Sequence, residues 1–311
     1  MFNHEELKVF FQGKIVDFKD ATISVANTGF LYGLAVFTGM RAHYNEQQQK
    51  LFLFRPEDHY RRFRFACKLM RYEQFLKNYD YDRFLGVLLE LLSVNNIEQD
   101  VYVRVTNYSD ENRVTPKFVE YKDALTMFLY PLGDYVPTGG MRCKVSSYTR
   151  SEDNAIPARA KINGIYVNTA FAKTEALLNG YDEAIFLDKN GHVVEGSAEN
   201  IFLVIDGKLV TPAVSDNILE GITRRTVIDI AQDEGIEVVE RTVDRTELYK
   251  ADEVFLTGTG AKVSPVVEID KYAVGNGTVG PIAAKIQETY MAAVRGELER
   301  YKHWLVDVYD R

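Results

Sequence analysis

Cysteine is scarce: Cys67 and Cys143 are the only two in 311 residues, and they lie far apart. A disulfide framework and a cysteine-rich metal site are therefore excluded. The scarcity fits a reducing compartment, and both thiols are expected to be inert. No apolar run approaches the roughly 18 residues that span a bilayer. The opening MFNHEELKVF has no basic segment followed by an apolar core, so it does not read as a secretory signal. These absences point to a soluble cytoplasmic protein with no membrane partner. Basic charge is the minority: 37 lysines and arginines stand against 45 aspartates and glutamates, a net charge of −8. General nucleic-acid binding needs a clustered basic face and is not expected. The one short cluster, Arg61, Arg62 and Arg64, fits a local anion site as well as a solvated helix face. Also missing are HExxH, CxxC, GxSxG and the P-loop pattern GxxxxGK followed by Ser or Thr. His4, His43, His59, His192 and His303 show no metal-ligand spacing, and no metal site is expected.

What is present is ordinary globular composition, 46% hydrophobic and 26% charged, which excludes long disorder. At roughly 100–200 residues per domain, the length suggests two domains. Short strands are expected at 9–11, 14–16 and 22–25, then at 35–43 and 51–54. A helix starts at Arg55-Pro56-Glu57-Asp58, where proline and first-turn acids belong. A second helix covers 81–94. Residues 101–107 alternate as a strand, and 124–130 read as an apolar strand buried on both faces. The segment 131–141, PLGDYVPTGGM, breaks the pattern and is the best linker. The expected organisation is 1–130, an interdomain loop at 131–141, and 142–311. In the second part a strand at 142–147 and a helix at 167–178 precede two hairpins. Their strands are 183–187 with 192–195, and 201–205 with 208–211, the latter turning on Asp206-Gly207. Helix 222–233, strands 236–241 and 253–257, and a long helix at 281–301 follow. No repeats occur. Strands and helices out of strict alternation indicate an α+β fold.

Several segments suit a phosphate. Leu219-Glu220-Gly221-Ile222-Thr223-Arg224 opens a helix, where free N–H groups and the dipole converge. Thr257-Gly258-Thr259-Gly260-Ala261 follows a strand, and its glycines admit close backbone approach. Arg62 shares a helix face with His59. Each is weak alone, since a glycine loop is often only a turn. Lys161, in KINGIY up to Tyr166, precedes a helix. A lysine there can form a Schiff base with a carbonyl, or be merely solvated. Glu195, in VEGSAEN, could hold a protonated heteroaromatic nitrogen or be an exposed hairpin acid.

Taken together and in order, Lys161 with Tyr166, EGSAEN, LEGITR and TGTGA resemble the fold-type IV pyridoxal phosphate enzymes. GFLYG at 29–33, VFTGMR at 36–41 and HYRR at 59–62 agree. Within that group the chain is most similar to branched-chain amino-acid aminotransferases, notably at VSSYTR (145–150), Asn154 to Pro157, and Lys161. The resemblance covers nearly the whole chain. It implies the two-domain architecture of D-amino-acid aminotransferase, with 1–130 as the small domain and 142–311 as the cofactor domain. It implies that Lys161 carries pyridoxal 5'-phosphate and moves the substrate α-proton. Tyr166 would hydrogen-bond the cofactor's phenolic oxygen, Glu195 would pair with its ring nitrogen, and Leu219 would pack on the ring. Arg62, the N–H groups of Ile222 and Thr223, and Thr259 would hold the phosphate. Tyr32, Phe37, Tyr102 and Tyr135 would line the substrate pocket, with Gly39 giving space beside them. Thr259, Gly260 and Tyr102 would receive the α-carboxylate, and Arg104 the side-chain carboxylate of glutamate. Substrates would be Leu, Ile and Val with 2-oxoglutarate, handled by a homodimer or larger homo-oligomer.

Three positions depart from that pattern. Thr38 stands where glutamate is usual, Val105 where proline is common, and Gly260 where alanine is frequent. The departures touch the substrate side and not the cofactor side. A D-amino-acid or (R)-amine transaminase, or an aminodeoxychorismate lyase, would use the same fold. A non-catalytic binding protein on this scaffold would need neither Lys161 nor Glu195.

Overall fold

The computed structural model describes residues 3–132 and 139–309. Tyr135 and most of the expected linker lie outside the described residues. The chain forms two compact units, and the first comprises Met1–Gly133, Ala160–Gly164 and Ala293–Arg311. The second comprises Asp134–Arg159 and Ile165–Ala292.

The first unit is built on an antiparallel sheet. Its strands are β1 (Lys8–Phe11), β2 (Lys14–Asp17), β3 (Ala35–Asn45), β4 (Lys50–Phe54), β5 (Val101–Ser109), β6 (Asp123–Tyr130) and the terminal strand Leu305–Asp307. The order runs from that terminal strand through β4, β3, β5, β6 and β1 to β2. Four helices belong here: α1 (Thr28–Tyr32), α2 (Pro56–Leu69), α3 (Glu73–Asn78) and α4 (Tyr81–Val94). Helix α2 packs on β3, α3 on β6 and α4 on β1. Phe63, Phe75, Phe84 and Leu88 fill the space between the helices and are fully buried. Phe63 meets Phe75 edge to face at 5.0 Å, a favoured aromatic geometry.

Helix ends are satisfied by residues of the neighbouring strands. Asp123, the first residue of β6, is buried and accepts from the N–H groups of Gln74 (3.0 Å) and Phe75 (2.9 Å) at the start of α3. It also accepts from Asn107 Nδ2 at 2.9 Å.

The second unit holds a mixed sheet. Its strands are β7 (Met141–Thr149), β8 (Glu183–Leu187), β9 (His192–Gly196), β10 (Asn200–Ile205), β11 (Lys208–Thr211), β12 (Val238–Glu240), β13 (Val243–Asp244), β14 (Glu253–Gly258), β15 (Lys262–Ile269) and β16 (Tyr272–Ala273). The order is β12-β11-β10-β14-β15-β7-β8-β9-β13, with β16 on β15. The helices are α5 (Tyr166–Leu178), α6 (Ile222–Asp233), α7 (Glu247–Lys250) and α8 (Pro281–Val294). Strand β8 is buried on both faces because alternate residues serve two cores. Ile185 joins Cys143, Val145, Val193 and Leu256. Ala184 and Phe186 join Ala172 and Ala176 of α5. Glu253 accepts from the N–H groups of Ile282 and Ala283 and so caps α8. Burial holds both thiols well above the ordinary cysteine range, so Cys67 and Cys143 are inert.

Some expectations from the sequence need correcting. Residues 22–25 form no strand; they are exposed and lead into α1, which Asn27 caps through Phe30 N–H. Strand β6 is not buried on both faces: Ala124, Thr126 and Phe128 are half-buried while Leu125, Met127 and Leu129 are buried. The final helix stops at Val294, not near 301. Gly296 follows with φ +72°, and any side chain there would meet Phe52. The chain from Ala293 onward accordingly belongs to the first unit, not to the expected 142–311 domain. It closes by pairing Leu305–Asp307 with β4.

The Asp123 cap yields a stability prediction. Asp123→Ala removes one acceptor from three donors, an expected loss of about 2–4 kcal/mol in denaturant unfolding. An unchanged midpoint would show that the cap contributes nothing.

Candidate active site

In the first unit, strand alternation sorts the candidate residues onto two faces. Gly39 pairs with Arg104, Phe37 with Thr106 and Arg41 with Tyr102. Phe37, Gly39, Tyr102 and Arg104 therefore share one face, and Thr38 points the other way. The segment at 160–164 joins the start of β3: Phe37 N–H donates to Lys161 C=O at 2.9 Å, and Val36 bridges Ile162. Lys161 Nζ lies 5.0 Å from the Phe37 ring centroid. The Arg104 guanidinium carbon lies 3.2 Å from the same centroid. Two cations thus meet one aromatic ring. Among the described residues, no carboxylate forms an ion pair with Arg104. The place where a Gly39 Cβ would stand is taken by the Tyr102 ring end, so the glycine makes room for Tyr102. Tyr32 ends α1 and is partly exposed. Gly33 follows it at φ +65°, where its backbone comes close to Gly164.

Thr38 connects the other face to α2. It is fully buried. Its Oγ1 lies 2.9 Å from His59 Nδ1 and accepts from Arg62 Nη2 at 3.5 Å. Burial, reinforced by the charges of Arg62, Arg55 and Lys161, holds His59 well below the ordinary histidine range. His59 is therefore neutral at physiological pH. Residues 59 and 62 do share a helix face, and Thr38 is what they share it with.

In the second unit the centre is Glu195, near the end of β9 and buried. Arg150 Nε lies 2.8 Å from its Oε1. Its Oε2 accepts from Asn200 Nδ2 at 3.2 Å and from Leu219 N–H at 3.1 Å. Asn200 Nδ2 also donates to Leu219 C=O at 2.8 Å. Neither an exposed hairpin acid nor a surface arginine would have this geometry: both side chains of the ion pair are under one-tenth exposed. Two residues after Leu219 comes Gly221, the N-cap of α6. Gly221 is required for packing, because a Cβ there would strike Asn200 Oδ1. A glycine cap brings no side-chain acceptor, and the intrahelical ladder starts only with Arg225 N–H on Gly221 C=O. The first-turn N–H groups of buried Ile222 and Thr223 are thus left for an anion. Thr259 and Gly260 sit in the tight turn between β14 and β15, whose last pair is Gly258 with Lys262. Tyr166 opens α5. It is separated from Lys161 by the short segment along which the chain passes between units.

Sequence reasoning alone does not single out Arg150 and Asn200. Both lie inside segments that carry the resemblance, VSSYTR and EGSAEN. The signal available is an arginine directly following a strand. No group of three or more His, Cys, Asp or Glu suited to a metal occurs among the described residues.

The buried ion pair predicts a stability signature. Glu195→Ala leaves Arg150 charged in a desolvated site, so the unliganded protein should lose about 3–5 kcal/mol of unfolding free energy. A loss below about 1 kcal/mol would show that the pair is effectively solvated.

Residues 35–269 match the class IV amino-transferase family. A probable branched-chain-amino-acid aminotransferase of Aquifex aeolicus is 47% identical over 304 residues, 97% of each chain. The PLP-form of the branched-chain amino acid aminotransferase from Thermobaculum terrenum superposes with a TM-score of 0.93 at 33% identity, covering 99% of this chain and 100% of that one. A third branched-chain amino acid aminotransferase, from the organism abbreviated T.th. and complexed with N-(5'-phosphopyridoxyl)-L-glutamate, gives 0.92 at 35% identity over 98% of this chain and 100% of that one. With a family match across most of its length and a relative nearly half identical, the chain belongs to the class IV amino-transferases.

Proposed function

We propose that the protein is a pyridoxal-phosphate-dependent aminotransferase that moves the amino group between branched-chain L-amino acids and 2-oxoglutarate. The observation that carries this reading is an aromatic wall and an arginine on one face of β3 and β5, with no carboxylate of the described residues pairing with that arginine. Leucine, isoleucine and valine need apolar walls, whereas glutamate brings a second carboxylate into the same space. Arg104 on Phe37 meets both needs. The relatives are branched-chain-amino-acid aminotransferases, and one of them is complexed with N-(5'-phosphopyridoxyl)-L-glutamate.

The residues fit the cofactor. Glu195 is a buried carboxylate that accepts from Asn200 Nδ2 and Leu219 N–H and pairs with Arg150, which suits a protonated ring nitrogen. The start of α6 offers N–H groups without a side-chain cap. Pyridoxal phosphate, when bound, supplies the electron sink for loss of the substrate α-proton. Lys161 Nζ would be the amine that carries the cofactor and would move that proton. Tyr166 would donate to the phenolic oxygen, and Leu219 would pack on the ring face. Glu195 would hold the proton on the ring nitrogen. Arg62, Thr259 and the N–H groups of Ile222 and Thr223 would bind the phosphate. Thr259, Gly260 and Tyr102 would take the α-carboxylate. Tyr32, Phe37 and Tyr102 form the apolar wall, and Gly39 makes room for the Tyr102 ring within it. Residues 1–130 then act as the substrate-side domain, and 142–311, apart from 160–164 and 293–311, as the cofactor domain.

The protein works in the cytoplasm as at least a homodimer. Apolar side chains exposed on each unit support the second point: Val25 and Phe30 on the first, Val167, Phe171 and Leu178 on the second. No helix of the described residues is long and apolar enough to cross a membrane.

The test compares initial rates with L-leucine, D-alanine and (R)-phenylethylamine, each with 2-oxoglutarate or pyruvate. L-leucine with 2-oxoglutarate should be fastest. Faster turnover of D-alanine or the amine would overturn the substrate assignment. Arg104→Met sharpens the point. A lost charge-assisted contact is worth roughly 1.5–3 kcal/mol, so kcat/KM for glutamate should fall about 10- to 100-fold. The leucine half-reaction should be nearly unchanged. Equal losses with both donors would make Arg104 a structural residue or an α-carboxylate ligand.

A further inference from the structure

Arg150 has no role in the reading above, yet its guanidinium stands 2.8 Å from Glu195. The backbone places it there. Strand β7 pairs with β8 in register up to Val145 and Ile185, then slips before Thr149 meets Leu187. Within the slip, Ser146 Oγ and Ser147 N–H both donate to Glu175 and hold the irregular backbone. Arg150 N–H then donates to Leu187 C=O at 2.9 Å. Its guanidinium lies 5.7 Å from the Phe186 ring and reaches Glu195 Oε1 on β9. The side chain is 7% exposed, so solvent does little to screen its charge.

We propose that Arg150 is a positioning residue that keeps the Glu195 carboxylate anionic and aimed at the cofactor's ring nitrogen. The inference rests on the cofactor reading given above. A carboxylate taken out of water without a cation favours its neutral form. A neutral Glu195 is a poor acceptor for a protonated ring nitrogen. Asn200 and Leu219 N–H orient Oε2 but carry no charge, whereas Arg150 brings a cation to Oε1. Removing Arg150 therefore weakens the one contact that depends on the ring nitrogen and spares the phosphate contacts of α6.

The experiment titrates the apoprotein, by intrinsic fluorescence, with pyridoxal phosphate and with its 1-deaza analogue, in which a ring CH replaces the nitrogen. Arg150→Met should raise the Kd of pyridoxal phosphate by about 10-fold or more. The Kd of the 1-deaza analogue should stay within about twofold of wild type, since that ligand offers Glu195 no N–H. Arg150→Lys, which retains the cation, should fall between wild type and Arg150→Met for pyridoxal phosphate. Equal weakening of both ligands by Arg150→Met would overturn the proposal and leave Arg150 as packing around Phe186. If Arg150→Met does not fold, the double variant Glu195→Gln/Arg150→Met removes both charges together. It should bind pyridoxal phosphate as Glu195→Gln alone does. A further loss beyond Glu195→Gln would show that Arg150 acts independently of Glu195 and would also overturn the proposal. A wild-type apoprotein that binds neither ligand would refute the cofactor reading itself, and that result differs from both of the others.

Discussion

A carboxylate and a guanidinium buried against each other, Glu195 with Arg150, set the terms for the second unit. Such a pair is no strong source of net stability, because desolvation offsets much of the attraction. Its value lies in what it fixes. Breaking one side leaves a charge with nowhere to go, so the two chain segments that carry the partners are held to one arrangement. Asn200 extends the constraint. One amide nitrogen serves both the carboxylate and the carbonyl of Leu219, and the amide oxygen abuts Gly221. The acid and the first turn of α6 are therefore held in a single frame. In a phosphate-bearing cofactor, the ring nitrogen and the phosphate are likewise a fixed distance apart. A rigid frame meets a rigid ligand without ordering cost at the moment of binding.

The first unit manages charge differently. Arg104 and Lys161 both approach Phe37, and an aromatic face gives each cation modest support while remaining an apolar wall. That compromise is what a site needs when its substrates alternate between a branched hydrocarbon side chain and a carboxylate. On the opposite side of β3, Thr38 supplies a neutral contact to His59 and Arg62. The neutral, buried His59 matches it, since an imidazolium there would face Arg62, Arg55 and Lys161 with no adjacent acid on the strand.

Much of this was legible in the sequence because the informative signals are local. The KINGIY, EGSAEN and LEGITR segments each place a reactive residue beside a strand end or helix start, and the structure puts Glu195, Leu219 and the first turn of α6 in contact. The two hairpins and helices α4 and α6 follow the same short-range rules. Non-local pairing was harder to read. The strand Leu305–Asp307 exists only because β4 offers an edge to it, and nothing in its own residues announces that. Gly296 was hidden in a helical pattern, and its meaning depends on Phe52. Glu195 looked equally like an exposed acid because its partner stands 45 positions earlier in the chain, beyond a register slip in β7. Gly39 reads as a residue that gives space, but that the space holds the Tyr102 ring depends on a pairing across β3 and β5.

The proposed chemistry depends on Lys161 as the amine that carries the cofactor. Borohydride reduction of the purified holoenzyme, followed by proteolysis and mass mapping, tests this directly. One phosphopyridoxyl modification is expected, on the peptide containing Lys161, and none in Lys161→Ala. Modification of a different lysine, or labelling that persists in Lys161→Ala, would contradict it.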